Sequence, residues 1–205
     1  MHLEGPDSAR TFLISCREIL LRRSFLLVAM NALYFGSIVV GAFLEQDNLL
    51  PLHNLPEGEG FLLLEAGLPS MIVGIFMFNL VVSSLFLTTL PGLLFFPLPV
   101  VSLVVRALFW GALLNWLPTS WLSIVLPTLV LEGEGYVLAG VSGVNLGLSL
   151  LRPDLAYEKS GFSRSEALKI ALKEWLCLYG LVAGLLSIAA VAEAFAVATF
   201  GQWNL

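Results

Sequence analysis

The chain has 205 residues, of which 58% are hydrophobic and only 12% charged, with a mean hydropathy of +0.91 and a formal net charge of −5. A soluble domain of this length cannot hide so much apolar surface, and the long apolar runs lack the strict alternation of barrel strands. Composition therefore predicts an all-α, polytopic integral membrane protein, and too few bases stand outside the membrane flanks for a nucleic-acid partner.

Residues 1–23 are polar and carry Arg10, Arg17, Arg22 and Arg23, with Phe12, Leu13, Cys16, Ile19 and Leu20 recurring at helical spacing. They read as a short amphipathic helix along the cytosolic surface. An apolar run at 24–44 follows and ends without a signal-peptidase site, so it is the first predicted span. The next stretch, from Glu45 to about Gly67, is a loop with five acids and no Lys or Arg. Its Pro51, Pro56, Gly58 and Gly60 are turn residues, and Phe61 to Leu64 could dip into the interface.

The second predicted span is 69–90, with Asn79 as its main polar feature. Pro91, Pro97 and Pro99 then punctuate an uncharged connection that reads as either a loop or a re-entrant segment. A third span at 98–117 contains Arg106. A tight turn to Trp121 follows, with Trp116 and Trp121 placed like interface anchors.

The fourth span, 121–151, is the centre of the sequence. It carries Glu132 and Glu134 at mid-depth, and Pro127 with its two nearby glycines is expected to bend or locally unwind it. Ala139, Gly143 and Gly147, four apart, form a stripe of small residues with Gly140 beside it, a surface on which another helix can pack closely.

Residues 152–174 are polar and basic, and Ser163 with Glu166 forms a capping box that opens a short helix leading toward Trp175. The fifth span, 175–200, holds Gly180 and Gly184 as a second small-residue pair, then Glu193. The chain thus divides into a cytosolic amphipathic segment, 1–23, and a single five-span membrane domain, 24–200.

Of the ten Lys and Arg, nine lie in 1–23 or 152–174 and the tenth is Arg106. The positive-inside rule then puts the N-terminus in the cytosol and the C-terminus outside a plasma membrane. Cys16 and Cys177 both fall at the cytosolic side, so a disulfide is not expected. His2 and His53 lie too far apart for a metal cluster, and no cofactor is expected.

Charges inside a span are costly and look inward, at protein or at water. Arg106 lies eleven residues before Leu117, and Glu132 eleven residues after Trp121. At about 1.5 Å per residue their depths match, so the expected arrangement is Arg106 flanked by Glu132 and Glu193. Glu134 points to another face of its helix. This cluster reads either as a structural ion pair or as the lining of an ion, proton or solute path. Asn79 and Asn145 read as interhelical hydrogen-bond partners. The signatures of nucleophilic hydrolases, zinc proteases and phosphate-binding loops are missing, so the chain is not expected to be an enzyme.

The residues Pro127, Glu132, Leu138, Ala139, Gly140, Gly143, Leu146 and Gly147 resemble the signature of the stage II sporulation protein M family. The stretch Ile188 to Phe195, with Glu193 among alanines, resembles that family's closing alanine–glutamate–phenylalanine motif; Phe78, Asn79, Leu80 and Gly111 also fit. The chain departs from the pattern at Thr128 and Leu129, where the family has His-Gly, and at Arg106 and Ala107, where it often has Asn-Gly. The resemblance implies a five-span membrane component that, in spore formers, works with cell-wall hydrolase partners as a membrane anchor. A scaffold or partner-recruiting role in envelope organisation is expected on that basis, as a homodimer in the lipid bilayer with a membrane or envelope protein partner. A small permease or channel using the intramembrane glutamates is the alternative.

Overall fold

The computed structural model describes residues 16–46, 67–117, 119–157 and 161–200. The expectations for residues 1–15, for the acidic loop at 47–66, and for His2 and His53 lie outside the described residues. Every regular element among those described is helical. In chain order they are α1 (Ser24–Gln46), α2 (Leu68–Met77) running into a π-helix (Phe78–Thr89), α3 (Pro91–Leu94), α4 (Leu98–Leu114), α5 (Thr119–Leu151), α6 (Pro153–Ala156) and α7 (Arg164–Phe200).

Helix α5 is the axis of the bundle. Its residues 135–147 are all buried, as befits a helix apolar on every side. It packs most extensively on α7, and α1 packs on α4. The small residues do the work expected of them. A Cβ on Gly143 would press on the Thr89 backbone and the Pro99 ring, and Cβ atoms on Gly92 and Gly147 would run into each other's helix backbones. Gly140 leaves room for Leu103 and Met30. The connection at 91–97 is thus neither an open loop nor a free hairpin but a helical corner laid directly on α5.

Gly180 and Gly184 behave differently. Both are exposed, and a Cβ on Gly184 would meet nothing within 4 Å, so they are not helix-packing sites within this chain. A second backbone-close crossing lies elsewhere, where Gly41 of α1 faces the Leu108 carbonyl and Gly111 of α4 faces Ile38 and Ala42.

Two further expectations change. Pro127 sits inside an uninterrupted α5 of 33 residues, so Gly133 and Gly135 do not unwind it. Residues 16–22 are helical, with Cys16 and Ile19 buried and Arg17, Glu18, Leu21 and Arg22 exposed, and a turn at Arg23 stands between them and α1. The Arg23 amide bonds the Ile19 carbonyl at 3.0 Å and the Leu27 amide bonds the Arg23 carbonyl at 2.9 Å, carrying the segment into α1. Its buried face docks on α7, where Cys16 and Cys177 are joined by a disulfide with Cα atoms 5.7 Å apart, inside the usual range. Sequence separation concealed that pairing; helix packing creates it.

The capping box forms as expected. Ser163 donates from its amide and hydroxyl to Glu166 at 2.9 and 2.7 Å, and its oxygen accepts the Glu166 amide at 3.4 Å. The helix it opens does not stop before the fifth predicted span but continues through it as the 37-residue α7.

Four helices are long and apolar enough to cross a membrane: Ser24–Glu45, Leu68–Leu94, Trp121–Leu151 and Arg164–Thr199. The predicted third span is the 17-residue α4, shorter than these. Outward-facing residues such as Phe25, Phe43, Phe86, Val105 and Leu176 are exposed, an apolar exterior consistent with a membrane protein.

Candidate functional site: the polar cluster at Glu132

The cluster begins with the π-helix. Its buried polar residues are Asn79, Ser83, Ser84, Thr88 and Thr89, spaced by four and five. An α-helix would fan such a set around its surface, whereas a wider helical turn keeps it on one side. The wider turn is visible in the hydrogen bonds. The Leu90 amide reaches back five residues to the Leu85 carbonyl at 2.9 Å, and the Ser84 and Thr88 hydroxyls bond the carbonyls of Asn79 and Ser83, also five back, at 2.8 Å each. Such turns are rare and occur often at functional sites. Here the polar side is turned onto α5 and α7: Thr89 Oγ1 donates to the Ala139 carbonyl at 3.0 Å and shares a 2.6 Å bond with the Tyr179 hydroxyl.

At the other end of the π-helix, Asn79 holds Glu132. Its Nδ2 donates to Glu132 Oε1 at 2.8 Å, and its Oδ1 accepts from the Tyr136 hydroxyl at 2.8 Å. Tyr136 Oη also stands 3.5 Å from Glu132 Oε2, at the outer limit of a hydrogen bond. Glu132 is 3% exposed and Tyr136 is fully buried, so these bonds replace water that would otherwise solvate them.

Arg106 belongs to the cluster in another way than expected. Its guanidinium carbon lies 4.2 Å from the centroid of the Tyr136 ring, a cation–π contact. No ion pair joins it to a carboxylate among the described residues. The expected salt bridge is therefore replaced by a stack, because Tyr136, one turn along α5 from Glu132, offers its ring face to α4. Arg106 also lines a cleft of about 600 Å³ with Phe78, Asn79 and Trp110.

Glu193 comes from α7 and lines the same two spaces as Glu132. Both line a cavity of about 180 Å³ that runs along Trp110, Leu129 and Val125 to Leu117 and Trp121. Both also line a second cleft of about 400 Å³ beside Gly74, Phe78 and Asn79. The carboxyl pair and Trp110 thus stand where the two spaces meet. Glu134, two residues on and across the helix, lines neither. Asn145 is also elsewhere: its Nδ2 donates to Glu174 on α7 at 2.8 Å, the interhelical role expected of it.

An ionised carboxylate only accepts hydrogen bonds. Two carboxyls lining the same cavities can take up a proton or a cation there and release it again. That is the chemistry the arrangement can perform.

Sequence reading missed Tyr34, fully buried with a hydroxyl lacking a hydrogen-bond partner and with its ring against Gly133. It also missed Tyr136, whose signal was its position one helical turn from Glu132. Glu45 is a third: it is buried and accepts from Trp116 Nε1 at 3.0 Å.

Comparison with protein-family models, with curated proteins and with solved structures gives no match, so the resemblance to the stage II sporulation protein M family rests on the residues named for it.

Proposed function

We propose that this chain is a five-span membrane protein, N-terminus in the cytosol, that binds and passes a proton or small monovalent cation at the Glu132–Glu193 pair. One observation supports this reading above the rest: two carboxyls from different helices line the same two cavities, without a basic partner in ion-pair contact among the described residues. A purely structural acid is expected to be paired with a base or sealed in helix contacts. In the proposed topology the smaller cavity opens toward the outer face, at Leu117 and Trp121, and the buried run of α5 from 135 to 147 forms the inner barrier. Arg106, held on Tyr136, sets the local charge without neutralising the pair.

The test is flux in proteoliposomes, read with a pH-sensitive dye under an imposed gradient and repeated with sodium and potassium. Glu132→Gln and Glu193→Gln should each abolish it, and Glu134→Gln should leave it intact. Unchanged flux in the first two variants, or none in the wild type, would end the reading.

A second reading is the scaffold implied by the family resemblance, with a membrane or envelope protein partner. The closed network of Asn79, Glu132 and Tyr136 favours it, since such a network can serve only to fix helix register. In that case Glu132→Gln lowers stability alone, and pull-downs recover an envelope protein. In a homodimer, the exposed side of α7 with Gly180, Gly184 and Ile188 is the proposed seam.

A further inference from the structure

A second polar cleft, of about 460 Å³, lies at the opposite end of the bundle and is lined by Arg22, Arg23, Leu155, Ala156 and Tyr157. It shares no lining residue with the Glu132 cavities. The junction of residues 16–22 with α1 supplies the two arginines, and α6 with the residue after it supplies the rest.

The charges here do not close among themselves. Glu174 faces the arginines from α7, and both of its oxygens are used. Oε1 takes Arg22, while Oε2 accepts Asn145 at 2.8 Å and stands 3.7 Å from Arg23, too far for a hydrogen bond. Arg23 has a side chain only 14% exposed, yet its Nε and Nη2 are buried without hydrogen-bond partners. Buried guanidinium donors left unpaired are costly.

Both guanidiniums lie over the Tyr157 ring, Arg23 at 5.1 Å and Arg22 at 5.9 Å from its centroid. Burial, and then the Glu174 carboxylate, pushes the Tyr157 hydroxyl up from its ordinary range, so the ring stays neutral beneath them. Arg152 and Asp154, 3.5 Å apart on the adjoining surface, cancel each other. Among the described residues, two cations stand against one carboxylate, and two Arg23 donors remain without a hydrogen-bond partner.

We propose that this cleft binds a phosphate group between Arg22 and Arg23. Arginine forks match phosphate oxygens in geometry as well as charge. The phosphate can come from the headgroup of an anionic phospholipid, for which exposed Leu155 offers an apolar flank, or from free phosphate in solution.

The full chain is placed in nanodiscs of phosphatidylcholine, alone, with added phosphatidylglycerol, or with inorganic phosphate in the buffer. The readouts are the melting midpoint and the bound lipid seen by native mass spectrometry. A rise with phosphatidylglycerol alone identifies a lipid site, and a rise with inorganic phosphate alone identifies a solute site. A response to both means one pocket accepts either source. Arg23→Gln should weaken the responding ligand about tenfold, the scale of one lost charge-assisted hydrogen bond. Lys169→Gln, an equal charge change at an exposed position, should leave binding unaltered. The proposal falls if the wild type responds to neither source, a result that needs no variant to fold, or if Lys169→Gln weakens binding as much as Arg23→Gln does.

Discussion

Asn79 and Glu132, 53 positions apart, meet through a 2.8 Å hydrogen bond from Nδ2 to Oε1 while the same amide accepts the Tyr136 hydroxyl. Tyr136 is fully buried and has no surface on which to find water instead. Asn79 is therefore the clamp on which the cluster depends, and the π-helix is what aims it.

Removing that clamp should cost more than removing a surface amide. Asn79→Ala leaves a buried carboxyl oxygen and a buried hydroxyl without their partners, at about 1–3 kcal/mol for each group stranded. Asn79→Gln, which keeps the amide on a longer arm, should recover part of the loss. Unfolding in mixed micelles with increasing SDS measures both. An Asn79→Ala variant as stable as the wild type would show that the network is not under load.

Arg106 gives a second test, because its partner is an aromatic ring. In a double-mutant cycle, Arg106→Met and Tyr136→Leu should couple by about 1 kcal/mol, as expected for a partly desolvated cation–π contact. Tyr136→Phe keeps the ring and should keep most of that coupling, although it strands Asn79 Oδ1. Coupling of Arg106 to Glu132 that greatly exceeds its coupling to the ring would restore the ion pair that sequence depth matching predicted.

Arg106 also shows how far the sequence can be read. Its level in the bundle follows from counting residues back from a tight turn, and so does its nearness to Glu132. The partner it chooses depends on a difference of one helical turn, Tyr136 instead of Glu132, and hydropathy does not see such a difference. The π-helix was hidden for a related reason. The spacing of Asn79, Ser83, Ser84, Thr88 and Thr89 is present in the chain, but it selects a wider turn only because α5 and α7 supply acceptors along one side. The four long apolar helices and the central role of α5 were legible because long apolar runs and small-residue spacing act locally. The Cys16–Cys177 and Arg22–Glu174 contacts, at separations of 161 and 152, were not.

The disulfide makes a prediction independent of the site. Protein purified without reductant should show no maleimide-reactive cysteine until a dithiol is added, and Cys16→Ser should free Cys177 for labelling. Loss of the link should lower stability by about 2–4 kcal/mol, the usual range for a native disulfide, and loosen residues 16–22 from α7. Two reactive thiols in the folded protein would contradict the pairing.

The glycines supply the sharpest contrast, since the same substitution should act in opposite directions at two places. Gly143→Ala puts a methyl where the Thr89 backbone and Pro99 ring already lie 2.8 Å from the Cβ position, closer than real Cβ contacts come. Neither neighbour is the end of a flexible side chain, so the end of the π-helix and the start of α4 must move away from α5. The cost should be about 1–3 kcal/mol, the scale of overpacking a core, and Gly92→Ala should behave alike. Gly184→Ala meets no atom within 4 Å and removes only the conformational freedom of glycine, so it should be neutral or stabilising by up to about 1 kcal/mol. If the exposed side of α7 is a dimer seam, Gly184→Ala will instead shift the dimer to monomer while leaving the monomer's unfolding unchanged. Sedimentation in density-matched detergent, run beside SDS unfolding, separates the two effects. A Gly143→Ala variant of wild-type stability would mean that the end of the π-helix and the start of α4 do not rest on α5 at all.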